Sequence, residues 1–197
     1  MGTRALLIVH LAAVLLVAVL PSRAHGQIEI EVDRERRLRV AMDRAQGCPP
    51  EEILRALDPN VDSVVVNLLN DKDAPVHYRL YAVDCLGHFS NKRSRQVISS
   101  LLGDPTWDRI FRLRAFTAAA RSMGVEFLAD LMETCEERDA ETRAAAVRAM
   151  AWIPTTRARS YLVQLQTRER DPLVLQAIGE ALQRIPVDPL RPPGSDL

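Results

Sequence analysis

The sequence predicts an all-α fold, an α-solenoid of about four helical hairpins. Four segments share a pattern: an acidic residue at the start, small residues in the middle, and Leu or Met near the end. A shorter apolar stretch of helical character precedes each segment, so one unit holds two antiparallel helices. Self-similarity at a period of about 32 residues is typical of α-solenoids. The composition agrees, because 8 glycines and 5% aromatic residues are few for an all-β protein with many turns.

The four units follow one another at similar intervals. The equivalent positions Gly87, Gly124, Ala151 and Gln183 lie 37, 27 and 32 residues apart. The motif segments are residues 73–87, 108–124, 139–151 and 171–183. The shorter helices that precede them are expected at residues 61–69, 94–102, 125–135 and 160–167.

The residue types within a motif segment suit the second helix of a hairpin. An Asp at the start can accept backbone N–H groups at the helix N-terminus, where the helix dipole also favours a negative charge. Pro75 and Pro172 fit a first helical turn, where a missing N–H costs nothing. The alanines allow neighbouring helices to approach closely. Gly87 and Gly124 would end their helices with a residue that tolerates positive φ.

An arginine recurs in the first three units, at positions 79, 114 and 143. We expect Arg79, Arg114 and Arg143 to pair with the acidic residues that start their own or adjacent units. The fourth unit departs from this pattern, because Leu175 takes the place of the arginine.

These units resemble the HEAT-repeat family, in the short bacterial form that is also found in phycobilisome-lyase-like proteins. The resemblance covers roughly residues 61–185. Tetratricopeptide repeats have a similar period, but their Trp-Leu-Gly-Tyr pattern is absent from this sequence. The resemblance implies a superhelical array of helical hairpins.

Residues 1–26 have the layout of a secretory signal peptide: Arg4, an apolar run over 5–20, and small residues at Ala24 and Gly26. We expect cleavage before Gln27 and a periplasmic or secreted protein. The alternative is an uncleaved N-terminal membrane anchor, although sixteen residues span about 24 Å, less than the roughly 30 Å of a hydrocarbon core. Cleavage would remove two basic residues and no acidic ones, leaving a net charge of −2.

Residues 27–60 are expected to cap the first repeat, because terminal units need a polar outer face. Residues 27–33 alternate apolar and acidic side chains, which predicts a short extended segment. Two helices are expected after it, at residues 34–45 and 51–57, separated by the break at residues 47–50. The tail, residues 186–197, holds four prolines and is expected to be disordered.

Three cysteines follow the predicted signal peptide. Their spacing matches no metal site, and an oxidising compartment permits one disulfide. Cys85 lies in an apolar helical run, so we expect it to be buried and free. Any bridge would then join Cys48 to Cys135.

The polar faces of the four second helices can be aligned across the units. One row holds Asp84, Arg121, Arg148 and Glu180. Neighbouring positions on this face complete the set: His88, Arg114, Trp152 and Arg184. Arginine and tryptophan dominate interface hot spots, so we expect a concave strip that binds a protein or peptide of the cell envelope. The competing interpretation is the solvated face of four amphipathic helices.

Other functional classes receive less support from the sequence. Asp84 and His88, four residues apart, could contribute to a metal site, and a metal-binding or enzymatic protein using that face is the alternative hypothesis. No phosphate loop, zinc-protease motif or nucleophile elbow occurs in the sequence, so we predict a non-enzymatic protein without a cofactor. A formal net charge of zero argues against nucleic-acid binding.

Overall fold

The computed structural model describes residues 22–186, with side chains from residue 30 onward. Every regular element in this part of the chain is helical. The cap and the first two hairpins contain α1 (Ser22–Ala45), α2 (Glu51–Leu57), α3 (Val61–Asn70), α4 (Val76–Leu86), α5 (Lys92–Gly103) and α6 (Arg109–Met123). A 3₁₀ turn (Gly124–Phe127) leads into α7 (Leu128–Thr134), α8 (Ala140–Met150), α9 (Thr156–Arg168) and α10 (Pro172–Arg184).

The helices form four consecutive hairpins: α3–α4, α5–α6, α7–α8 and α9–α10. The second helix of each hairpin packs on the second helix of the next, so α4, α6, α8 and α10 form one continuous layer. The first helices lie against that layer, each on its own hairpin partner. This arrangement is an α-solenoid, as the sequence predicted.

Small residues bring the second helices close together. Every residue from Ala144 to Ala146 is buried, as are Ala118, Ala119, Ala177 and Ala181 on the flanking helices. Gly87 serves the same purpose, because a Cβ there would lie 3.1 Å from the Cα of Ala118. Gly87 has φ −64°, so it does not use the tolerance of positive φ for which a glycine was expected there, whereas Gly124 does, with φ +60°.

Predicted helix starts agree with the structure in the later units and differ in the earlier ones. The carboxylate of Asp139 accepts from the Thr142 N–H at 2.8 Å, and that of Asp171 from the Leu173 N–H at 2.9 Å. The first motif helix begins after Pro75 rather than at Asp73, and Asp108 precedes its helix without a side-chain capping bond. Pro172 occupies the first helical turn as predicted.

The three repeated arginines have three different partners. Arg143 binds the Glu169 carboxylate at 2.9 Å, in the loop between α9 and α10, so its partner is in the adjacent unit as expected but is not the predicted Asp171. Arg114 binds Asp84 in the last turn of α4 instead of an acid at the start of a unit. The prediction for Arg79 is wrong: its Nε donates to the Leu69 carbonyl at 2.9 Å.

The N-terminal cap consists of α1 and α2. Helix α1 packs on α3 and α4 through the buried side chains of Leu38 and Met42. The extended segment predicted at residues 27–33 is wrong, because α1 runs through it. Charged pairs three and four residues apart favour the helix: Asp33 pairs with Arg36 and Arg37.

The cysteine pairing also differs from the prediction. Cys48, in the loop after α1, forms a disulfide with Cys85 of α4, and their Cα atoms lie 5.3 Å apart. Cys135 is the buried free thiol. The long-range packing of α1 against α4 brings the two bridged residues together, and no local pattern in the sequence indicates that contact.

Two expectations concern residues outside the described range. The apolar run of the predicted signal peptide precedes residue 22, and all but Pro186 of the predicted tail follows the last described residue. Among the helices that are described, none is both long and apolar enough to cross a membrane.

Candidate functional site on the second helices

The face of the second-helix layer that is turned to solvent carries the predicted binding residues. The second-helix strip, as we name it, consists of Asp84, His88, Arg114, Arg121, Arg148, Trp152, Glu180 and Arg184. Each of them lies on α4, α6, α8 or α10, or in the turn that follows α4 or α8. All eight are at least partly exposed.

Contacts across the units join four of these residues directly. Arg114 Nε donates to Asp84 Oδ1 at 2.8 Å, which connects α6 to α4. Arg121 Nη2 lies 2.8 Å from Nε2 of His88 on the α4 side. The strip residues of the first two units are therefore held together by their own polar contacts.

Arg121 also reaches in the opposite direction, toward the third unit. Its Cζ atom lies 4.7 Å from the centroid of the Trp152 ring. His88, Arg121 and Trp152 thus form a continuous row across three units. Trp152 is 46% exposed, so one side of its ring remains available. A cation already stacked on an exposed tryptophan presents a flat, amphipathic contact surface.

The charge of the strip is strongly one-sided. Within residues 30–186, no carboxylate lies within ion-pair distance of Arg121, Arg148 or Arg184. Asp84 is neutralised by Arg114, and Glu180 accepts a hydrogen bond from the Gln176 amide at 2.9 Å. Three guanidinium groups therefore face solvent with one carboxylate that has no cationic partner.

Burial and neighbouring charge disfavour the protonated form of His88. Partial burial lowers the pKa of His88, and the adjacent Arg121 lowers it further. Three nearby carboxylates raise the pKa of His88 instead: Glu51 and Glu52 of the cap, and Asp84. A neutral imidazole can accept a hydrogen bond from Arg121, so the arginine keeps its charge while its position is fixed.

Two adjoining depressions run along the strip. One of about 510 Å³ lies between α6 and α8, and its apolar floor includes Ile110, Leu113 and Leu173. The other, of 210 Å³, lies between α8 and α10 beside Trp152 and Arg184. Thr117 and Arg148 line both of them, so the two depressions form one groove.

Sequence reasoning missed the apolar floor of this groove. Ile110 is 51% exposed, although an isoleucine in a repetitive helix is usually assigned to the core. The available signal was its position in the first turn of α6, directly after Arg109. Trp107 shows the opposite behaviour: its ring centroid lies 5.6 Å from that of Phe111 and 5.9 Å from the Arg79 guanidinium of the preceding unit.

The geometry does not favour Asp84 and His88 as a pair of metal ligands. Each side chain already has an arginine as its partner, and a second cation at the same atoms would meet strong repulsion. Across the described residues, no three metal-ligating side chains lie close enough together to hold an ion.

Comparison with known families agrees with the architecture. Residues 107–183 match the family model for HEAT repeats. The matched HEAT repeats include α6 through α10 almost completely, and with them five of the eight strip residues. HEAT repeats generally mediate protein–protein interaction. No curated protein matches the chain.

Proposed function

We propose that this chain is an exported, non-enzymatic scaffold or adaptor. It binds a protein or peptide of the cell envelope through the second-helix strip. The observation that carries the proposal is the groove itself: an apolar floor, an exposed tryptophan, and two arginines, Arg148 and Arg184, without carboxylate partners among residues 30–186. Arg121 stacks on the same tryptophan beside the groove. Tryptophan and arginine are the residues that most often dominate binding energy at protein interfaces.

The charge of the strip favours an acidic partner segment. An acidic segment could offer a carboxylate to each of the arginines that have none, Arg121, Arg148 and Arg184. Because these arginines form no ion pair among residues 30–186, little of the binding energy would be spent on breaking existing pairs. The apolar floor between α6 and α8 would take a large side chain from the same segment. An acidic segment with one apolar anchor therefore fits the groove best.

The proposed export rests on two features. The first 26 residues have the order of charges and apolar residues that a signal peptide requires. The disulfide between Cys48 and Cys85 fits an oxidising compartment such as the periplasm or the cell exterior. Fractionation of the native host, followed by N-terminal sequencing of the mature chain, tests this part of the proposal.

Affinity purification from the native host tests the binding site. We would compare the tagged wild type with Arg121→Glu/Arg148→Glu and identify the copurifying proteins by mass spectrometry. The double variant should lose the specific partner while its melting temperature stays within a few degrees of the wild type, because neither arginine forms an ion pair within residues 30–186.

The matched control is Arg93→Glu/Arg157→Glu. It makes the same change of charge on the exposed first helices α5 and α9. This variant should retain the partner. Retention of the partner by both double variants would contradict a site on the second-helix strip.

A further inference from the structure

A second groove lies on the N-terminal cap and shares no residue with the second-helix strip. The cap groove, as we name it, runs between α1 and α2 and has a volume of about 510 Å³. Its floor is apolar and is formed by Val40, Ala41, Pro49, Pro50, Ile53 and Leu57. Val40 is 45% and Ile53 49% exposed, so both present apolar surface to solvent.

The walls of the cap groove have the shape of a helix-binding site. Val40 and Arg44 on α1, and Ile53 and Leu57 on α2, are each four residues apart and so form ridges along their helices. Ridges of this kind receive a third helix at an axial distance of about 8–10 Å. The α1 wall from Arg36 to Ala45 measures about 14 Å at 1.5 Å per residue, enough for two to three turns.

Three arginines flank this apolar floor. Arg36 and Arg37 share one carboxylate, that of Asp33, at 2.7 Å and 3.2 Å. Arg44 has no carboxylate within ion-pair distance among residues 30–186. The rim therefore has an excess of positive charge, and a partner with negative charge on both sides of an apolar stripe would complement it.

Repulsion between like charges opposes binding of a second copy of this chain in the cap groove. A two-fold contact through the cap groove would place Arg36, Arg37 and Arg44 of one copy against the same three residues of the other. Like charges opposed in an interface cost several kcal/mol. The rim therefore selects against self-association through this face.

We propose that the cap groove binds an amphipathic helix of a partner protein, one whose apolar stripe is flanked by acidic residues. The site is separate from the second-helix strip, and its occupancy does not depend on the function proposed above. The loop that carries Cys48 forms one end of the groove through Pro49 and Pro50, so the disulfide fixes this end to α4.

The test uses two synthetic, fluorescently labelled helical peptides and the full chain. Both peptides carry leucines four and three residues apart, and they differ only in having glutamate or lysine at the flanking positions. Fluorescence anisotropy at low salt measures each affinity. The glutamate peptide should bind about tenfold more tightly than the lysine peptide.

Variants then place the binding site of the peptide. Arg44→Glu and Ile53→Gln should each weaken binding of the glutamate peptide about tenfold. The matched controls are Arg157→Glu and Val163→Gln on α9, where Val163 is 45% exposed, and these should leave the affinity unchanged. Melting temperatures within a few degrees of the wild type would show that each variant is folded.

Four results would overturn the proposal. The glutamate peptide could fail to bind, or the lysine peptide could bind with the same affinity. The α9 controls could weaken binding as much as the cap variants do. Finally, Arg121→Glu/Arg148→Glu could weaken binding while Arg44→Glu does not. The last result would assign the peptide to the second-helix strip. Whether or not the peptide binds the cap groove, the outcome of the affinity purification with the strip variants stays the same. Each of the two proposals can therefore be contradicted without the other.

Discussion

The N-terminal cap and the layer of second helices are held in place by different means. The layer relies on small buried residues, such as Ala119 and Ala146, that allow helices to pack closely. The cap relies on specific pairs of residues. They are the disulfide between Cys48 and Cys85, the hydrogen bond that the Tyr78 hydroxyl donates to Asp43 at 2.8 Å, and the ion pair of Arg34 with Asp58 at 2.7 Å. Packing that repeats leaves a repeating sequence pattern, whereas individual long-range pairs leave none.

The same difference explains what the family model detects. It matches residues 107–183, where the alanine pattern recurs, and not the cap. The hairpin α3–α4 has the architecture of a repeat but lies outside the match. Tyr78 and Tyr81 of α4 stand where the later units carry smaller residues, and Tyr78 binds Asp43 of the cap.

Loss of the disulfide should have the largest effect on stability, and that effect should be confined to the cap. The bridge closes a loop with a sequence separation of 37. Cys48→Ser should therefore lower the free energy of unfolding of the cap by about 3–4 kcal/mol. Hydrogen exchange should accelerate in α1 and α2 while α8 remains protected.

A reductant provides the control for this prediction. It should reproduce the effect in the wild type and leave Cys48→Ser unchanged. Equal acceleration of hydrogen exchange in α8 would contradict the separation of cap and array, since it would show that they unfold together.

The next largest effect is expected within the array, at Glu169. Burial alone would raise the pKa of this carboxyl, but hydrogen bonds from Arg143 and from the Asp171 and Arg170 N–H groups lower it to about 2. Because the folded pKa lies below the ordinary value of 4.5, the charged form stabilises the fold above about pH 4.5. That stabilisation is lost as the pH falls toward 2.

Glu169→Gln should cost about 2–3 kcal/mol at neutral pH. The difference from the wild type should shrink between pH 4.5 and 2, the window set by the two pKa values. Urea unfolding at a series of pH values measures it. A difference that does not change with pH would show that the charge of Glu169 is not what stabilises the array.

Adding one methyl group should change the free energy of unfolding by a smaller amount, and in opposite directions at two glycines. Gly87→Ala places a Cβ 3.1 Å from the Cα of Ala118 and should cost about 1 kcal/mol. Gly179→Ala, within α10, meets nothing within 4 Å and should stabilise the fold by about 0.5–1 kcal/mol. Equal shifts in melting temperature would mean that close approach at Gly87 does not limit the packing of α4 on α6.

The sequence predicted the helices well because helix patterns are local. The hairpins and helix α2 appear near their expected bounds, since apolar periodicity and capping residues act within a few positions. Residues 27–33 were misjudged because alternating apolar and acidic residues also fit a helix when arginines follow three and four positions later. Over so short a segment, alternation alone does not exclude a helix.

The contacts of the candidate sites required the three-dimensional structure. Alignment of the units placed Arg121 and Trp152 on one face, but it did not predict that the guanidinium stacks on the indole ring. The pairing of Cys48 with Cys85 and the apolar groove beside it depend on how α1 lies across α3 and α4. Side chains that meet across distant segments are not specified by spacing along the chain.

Site-specific photo-crosslinking is the most direct test of the account. A photoreactive amino acid at Thr117, which lines both depressions of the second-helix strip, would be compared with one at Val163 on α9. Irradiation of native cells should give a specific protein adduct at Thr117 and none at Val163. An adduct with the same partner at Val163 and not at Thr117 would contradict the account, because it would place the partner on the first helices.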